Sequence, residues 1–403
     1  MNLEHANRLD AAAFGAPAAV DRVQRTALIV GAAGTVVFLL GLLVSPQTFF
    51  RAYLLGWVYW TGIALGCTAV FMLHHLTRGA WGIVVRRVLE AASRTLPWML
   101  ALSLPLFFFG LDDLYLWARP EAVANDALLQ AKQPYLNPAF FFLRLGLYFL
   151  VWCGFAWILN RLSLRQDRES DPRLVRRMQL IAAPGLAAYC LMVTFASVDW
   201  LMSLEPHWFS TIYGVYLMGC HGLSALGFLI VFAVYLSRRE PMSAVLQPRH
   251  FHDWGKLLFA FTMLWAYFSF SQFLIIWSGN LPEEIEWYLH RIHGGWGAVA
   301  LSLAVFHFVL PFVLLLSRDL KRNPRLLAGV ALLMLFMRLV DYLWQIEPAF
   351  KEHNLAASWL YLAAPAAIGG IWVFLFLREL KKRPLLPVND PYLPEAIAHG
   401  DPH

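Results

Sequence analysis

Val198-Asp199-Trp200-Leu201-Met202-Ser203-Leu204-Glu205-Pro206 returns as Val340-Asp341-Tyr342-Leu343-Trp344-Gln345-Ile346-Glu347-Pro348, with five of nine positions identical. Each copy closes an apolar stretch long enough to cross a bilayer, so the segment reads as the end of a duplicated unit. Working outward, Val58-Tyr59 with Gly62 matches Val215-Tyr216 with Gly219, and Leu114-Tyr115-Leu116-Trp117 matches Leu274-Ile275-Ile276-Trp277. Tyr135-Leu136 matches Tyr288-Leu289. All four matches keep their order, at offsets of 157, 160, 153 and 142 residues. Chance similarity between apolar helices seldom keeps order.

The surrounding chain sets the solvent. Of its 403 residues, 59% are hydrophobic and 14% charged, whereas soluble domains carry about 25% charged residues. Ten apolar stretches have roughly the 17 to 25 residues that a bilayer core requires. They are Thr26–Val44, Ala52–Leu73, Thr95–Leu111, Phe140–Leu159, Leu180–Met202, Ser210–Leu236, Leu257–Ser278, Trp296–Leu316, Leu326–Trp344 and Trp359–Leu377. The expected fold is therefore an all-α polytopic membrane protein with ten transmembrane helices. Helices 2–5 and 6–9 form two four-helix bundles, and helices 1 and 10 are peripheral. Four helices per unit bring both copies into the membrane in the same direction, a parallel repeat about the membrane normal. In residues, the expected units are 1–51, 52–209, 210–357 and 358–403.

Charge fixes the expected orientation. The amino terminus and the alternate segments 74–94, 160–179, 237–256, 317–325 and 378–403 hold 25 of the 32 lysines and arginines; the other five loops hold 5. The positive-inside rule puts both termini in the cytoplasm, and no nucleic acid is needed to explain the formal charge of +6. The first apolar stretch is expected to be a retained anchor, since no small-residue cleavage pattern follows it. Cys67, Cys153, Cys190 and Cys220 are isolated, with neither CxxC nor CxxCH spacing, so no metal or attached haem is expected. A Walker loop, a glycine-rich dinucleotide fingerprint and HExxH are also missing from the sequence.

Ionisable groups within a bilayer cost roughly 2.5–3.5 kcal/mol each on insertion scales, which makes each a functional candidate. Asp112, Asp113, Asp199, Glu205, His207, Asp341 and Glu347 lie near the positive-poor face. Arg338 and Asp341, three residues apart, share a helix face, while Arg144 is expected to meet Asp112 or Asp113. Structural ion pairs account for these groups as readily as function does. His221 and His307 each sit about 11 residues into helices 6 and 8, roughly 16 Å deep. Their repeat positions hold Ala64 and Gly154, so the scaffold itself does not demand histidine. One reading is a proton relay through His221, His307, Tyr213, Tyr216 and Ser224, with Lys256, His252 and Asp253 at the cytoplasmic mouth and Asp199, Glu205 and His207 outside. A bis-histidine haem and plain interhelical hydrogen bonding are the alternatives. The 15% aromatic content suits interfacial belts and also apolar pockets for an isoprenoid headgroup.

The stretch Ser197-Val198-Asp199-Trp200-Leu201-Met202-Ser203-Leu204-Glu205-Pro206-His207-Trp208-Phe209-Ser210-Thr211-Ile212-Tyr213-Gly214 resembles the signature of a membrane subunit of alternative complex III. The resemblance extends over nearly the whole chain, including His290-Arg291-Ile292-His293-Gly294-Gly295-Trp296. It is strongest to the ActF type, which is similar to the NrfD-like, or polysulfide-reductase, membrane family. The resemblance implies two four-helix bundles flanked by extra helices, in a respiratory-chain complex of the bacterial inner membrane. That complex oxidises quinol and passes electrons to cytochrome c or directly to a terminal oxidase. Its iron–sulfur clusters belong to an iron–sulfur subunit, its haems to multihaem cytochrome c subunits, and its better-supported quinol site to a sister NrfD-like membrane subunit. For this chain the resemblance implies a structural role beside that sister, lipid contacts and a transmembrane proton path, with no redox cofactor of its own and a bound quinone left open. The rival readings are an independent secondary transporter and a haem-b membrane cytochrome. The proline-rich tail, with Pro384, Pro387, Pro391 and Pro394, is expected to be an extended cytoplasmic segment.

Overall fold

A proline opens five of the ten long helices, at Pro46, Pro138, Pro172, Pro248 and Pro324, where its missing N–H costs no helical bond and its fixed φ favours the first turn. The computed structural model describes residues 14–169, 171–350 and 358–399. Residues 1–13 of the first expected unit, the junction at 357 and the last four residues of the tail lie outside these. The spans are α1 (Ala19–Val44), α2 (Pro46–Thr77), α3 (Arg86–Leu114), α4 (Pro138–Gln166), α5 (Pro172–Leu204), α6 (Tyr213–Leu236), α7 (Pro248–Gly279), α8 (Trp296–Leu316), α9 (Pro324–Ala349) and α10 (Leu360–Leu380). Among the described residues there is no strand. The protein is an all-α, multi-pass membrane protein.

Packing repeats the sequence repeat. In the first bundle α2 touches α3, α3 touches α4, α4 touches α5, and α5 returns to α2. The same cycle recurs from α6 through α7, α8 and α9 back to α6. The bundles meet through α2 against α6, with α5 on α6 and α9 on α2. Consequently α2 and α6, equivalent members of the repeat, are the two most buried spans. α10 lies against α1, α2 and α3, outside both cycles. Exposed apolar side chains such as Ile29, Phe109, Leu150, Phe270 and Leu301 point outward, as lipid-facing helices require.

Without a hydrophobic force between helices in lipid, close packing has to supply the attraction, and small residues permit it. At the centre, a Cβ on Gly66 would lie 2.0 Å from the backbone oxygen of His221. At the rim, a Cβ on Gly370 would lie 2.3 Å from the nitrogen of Gly31, so α1 and α10 touch backbone to backbone. Pro311 removes the N–H that would bond to the carbonyl of His307, and residues Leu303–Val309 of α8 take up a π turn, in which the Leu310 N–H reaches Val305.

The tail is a packed element, in contrast to the extended segment its composition suggests. Leu385, Leu386, Leu393 and Ala396 are buried. Asp390 forms a 2.5 Å ion pair with Arg86, and Asn389 donates to the backbone oxygen of Asp167. Further on, His250 of α7 contacts the Ala396 carbonyl oxygen at 2.9 Å, and His399 lies 2.9 Å from Asp253. The tail thus crosses from the first bundle to the second.

Candidate functional site

A buried polar cluster is built on α9, whose helical spacing lines up Arg338, Asp341 and Gln345. All three are buried. Asp341 accepts from Tyr216 of α6 at 2.7 Å, from the indole N–H of Trp265 on α7 at 3.0 Å, from Gln345 at 3.3 Å, and from Arg338. Every one of these neighbours donates, the arrangement that an acceptor-only carboxylate takes. Gln345 in turn accepts from Tyr213 at 2.7 Å and donates to Tyr216 at 2.9 Å.

This cluster forms one end of a cavity of about 640 Å³ between α7 and α8. Tyr216, Trp265, Asp341 and Gln345 supply its polar end, while Ala300, Leu303, Ala304 and Phe308 of α8 form an apolar wall. Met263, Tyr267 and Phe270 of α7 also line it and are 40%, 64% and 61% exposed, so the cavity opens sideways on the lipid-facing surface. The shape suits a membrane-dissolved molecule with a hydrogen-bonding head and an apolar tail.

Toward the positive-poor face the cluster continues to a second one. The Arg291 guanidinium donates to the Gln345 backbone oxygen at 2.7 Å, pairs with Glu205 at 2.6 Å and lies 3.7 Å over the Trp287 ring. His290 contacts the other Glu205 oxygen at 3.1 Å. Burial pushes the Glu205 carboxyl up, but Arg291 and the His290 hydrogen bond outweigh it and hold it below its usual value. The same bond to Glu205 raises His290. His207 stands apart on the surface, 2.6 Å from Asp126. The Leu129 N–H, and then His207, hold that carboxyl below its ordinary range.

In the first bundle the expected partner of Arg144 is corrected. Arg144 does not meet Asp112 or Asp113; it grips Asp199 of α5 with two bonds of 2.8 and 2.9 Å. Tyr148 donates to the same carboxylate at 2.7 Å. Burial explains the choice: Asp199 is fully buried against α4, whereas Asp112 is exposed and Asp113 half-buried at the end of α3. Their backbone oxygens accept from Arg119.

The two midplane histidines face different surroundings. His221 shares a 3.0 Å hydrogen bond with Tyr189 of α5 and fills the crossing of α2 and α6, beside Gly62 and Tyr342. His307, in the π turn, places its ring 4.2 Å from that of Trp265, and neither of its nitrogens has a hydrogen-bond partner among the described residues. Neither histidine lines the cavity. Ser224 bonds back to the Cys220 carbonyl oxygen of its own helix. Lys256 pairs with Asp253 at 2.9 Å on the opposite face, with His252 beside them and apart from the α9 cluster. Of the expected relay, the structure joins Tyr213 and Tyr216 to the expected ion pair of Arg338 and Asp341 and reaches Glu205 through Arg291, and it leaves His221, His307, Ser224, Asp199, His207 and the Lys256 group outside that network.

Gln345, Trp265, Tyr148 and Arg291 were not singled out by sequence. Gln345 had a usable signal, lying one turn beyond Asp341 within the repeated segment. No group of three or more His, Cys, Asp or Glu side chains able to hold a metal occurs among the described residues. Fold and site together define a multi-pass helical membrane protein with a polar-headed, laterally open cavity in its second bundle. Comparison with known protein families and with curated proteins finds no match.

Proposed function

We propose that this chain is a non-haem membrane subunit of a quinol-oxidising respiratory complex, of the ActF type. It sits in the bacterial inner membrane with both termini in the cytoplasm, beside a sister quinol-binding membrane subunit. The single observation that carries the reading is the cavity that joins an apolar, lipid-facing mouth to the Asp341 carboxylate. A quinol headgroup offers two hydroxyls to such an end, and its isoprenoid tail matches the wall formed by α8. Oxidation of a quinol releases two protons and two electrons. In this scheme Asp341 accepts the two protons one after the other, passing the first along Tyr216, Gln345 and Tyr213 toward Arg291 and Glu205 at the positive-poor face before it takes the second. The electrons leave through iron–sulfur and multihaem cytochrome c partners to cytochrome c or an oxidase.

The test is purification of the chain in mild detergent from its native membrane, with identification of co-purifying subunits and a visible spectrum. Multihaem and iron–sulfur subunits travelling with it support the reading. A chain that runs alone, colourless and competent for solute uptake in vesicles overturns it in favour of a transporter. A Soret band from the isolated chain overturns it in favour of a haem-b cytochrome.

A further inference from the structure

At the positive-rich face, the end of α6, the start of α7 and the link between α8 and α9 enclose a surface cleft of about 620 Å³. Arg238, Arg322 and Arg325 line it with Ser237, Asn323 and a single carboxylate, Asp319. All three arginines are exposed, and none makes an ion pair or a side-chain hydrogen bond among the described residues. The contrast with the other basic cleft on α4 is informative. There two of the three arginines are committed, Arg165 paired with Glu169 at 2.8 Å and Arg161 over the Trp157 ring, with Arg168 the third. The cleft at α6, α7 and α9 leaves its cations uncommitted.

Its height matters as much as its charge. Ser237 and Arg238 directly follow Leu236, the last residue of α6, and Arg325 directly precedes Leu326 in the first turn of α9. Leu326, with Val313 and Leu316 at the end of α8, is more than half exposed. Cations therefore stand at the rim of an apolar surface. The N-termini of two long helices, α7 at Pro248 and α9 at Pro324, add their partial positive charge to the same place.

The geometry points to a binding site for the headgroup of an anionic phospholipid, its phosphate held by Arg238, Arg322 and Arg325 and its acyl chains laid along Val313, Leu316 and Leu326. This assignment is independent of the cavity and of any quinol chemistry. Membrane-surface cations each contribute roughly five-fold in affinity for anionic lipid, so the double variant Arg322→Gln/Arg325→Gln is expected to weaken binding by about 25-fold on the same scale.

The experiment is native mass spectrometry of the purified full-length chain titrated with phosphatidylglycerol, phosphatidylcholine or inorganic phosphate. The double variant, Arg238→Gln and a control, Arg177→Gln on α5, are compared, with melting temperatures to show that each folds. Retention of phosphatidylglycerol that falls in the double variant and in Arg238→Gln but not in the control supports the site. Equal retention in all variants, equal binding of phosphatidylcholine, or complete displacement by millimolar inorganic phosphate overturns it.

Discussion

Asp199 and Asp341 occupy equivalent positions of the repeat yet take their arginine from different helices. Asp199 is held by Arg144 across the gap between α4 and α5, whereas Asp341 is paired with Arg338 three residues earlier on its own helix. The repeat puts Gly297 where Arg144 stands and Ala196 where Arg338 stands. This exchange has a packing consequence. In the first bundle the guanidinium and the Tyr135 ring stacked on it at 3.9 Å fill the space beside the aspartate. In the second bundle the arginine is withdrawn along α9, and a cavity remains. One copy of the motif is thus a clasp and the other an open site.

Removing the clasp should cost stability, because breaking one half of a buried pair strands the other charge at about 3–5 kcal/mol. Arg144→Ala is expected to lower the unfolding free energy by that amount, read as a lowered melting temperature in detergent. Arg144→Met/Asp199→Leu should recover most of the loss, since neither charge is then left alone. A single variant that melts like the wild type would show that the pair contributes nothing.

Asp341→Asn preserves size and one acceptor oxygen while removing the negative charge and turning the other oxygen into a donor. Like Asp199→Asn it leaves a buried arginine without its counter-charge and melts lower, but the complex that does assemble is expected to lose in addition about 10²–10⁴-fold in quinol oxidation per assembled complex, the scale of losing a positioned proton acceptor. Asp199→Asn should leave turnover within about two-fold and act through stability. If the two variants lost turnover equally, the division between clasp and open site would be wrong.

The Glu205, His290 and Arg291 cluster should give a pH signature. The raised His290 contributes stability that is complete below its ordinary value of 6.5 and is lost as pH rises through its raised folded value. The depressed Glu205 contributes stability that is complete above its ordinary 4.5 and is lost as pH falls through its lowered one. Both contributions are present together between those two ordinary values, and the melting temperature should be highest there. Glu205→Gln is expected to flatten the profile on both sides, and a variant profile parallel to the wild type would count against the cluster.

The ten helices were legible because a bilayer imposes length and apolarity on each span, and the repeat was legible because Asp and Glu-Pro recur at fixed spacing. Helix ends were less so. Pro138, Pro172, Pro248 and Pro324 open their helices in polar surroundings, outside the apolar stretch that marks a span. Which carboxylate Arg144 would take was not readable from nearness to the face; it depended on which one the packing of α4 against α5 buries. His221 and His307 were matched in depth, but depth says nothing about facing. One ring turned toward Tyr189 and the other toward Trp265. The tail misled for a related reason, since its prolines suggest extension while its few anchoring leucines carry the docking.

The tightest helix crossing gives a steric prediction. A Cβ on Gly66 meets the His221 backbone oxygen at 2.0 Å and the Ala225 side chain at 2.9 Å, so α2 and α6 must separate to admit it. Overpacking of this kind costs about 1–3 kcal/mol. Gly66→Ala should lower the melting temperature, and Gly66→Leu should prevent accumulation in the membrane. Gly154, where an added Cβ meets nothing within 4 Å, is the control, and Gly154→Ala is expected to melt within a degree or two of the wild type.

The docked tail supplies the last test. Arg86 is buried and contacts Asp390 at 2.5 Å, Gln166 at 2.9 Å and Glu90 at 3.4 Å. Its charge therefore keeps partners when Asp390 is removed, and the expected loss is that of one charged hydrogen bond, about 1.5–3 kcal/mol, rather than of a stranded ion. Asp390→Ala should melt lower by that amount. Because the tail also carries Ala396 and His399 onto α7, the variant should speed amide exchange at the start of α7 around His250, a helix that Asp390 does not pair with. Faster exchange confined to residues next to Asp390 would mean that the tail does not couple the two bundles.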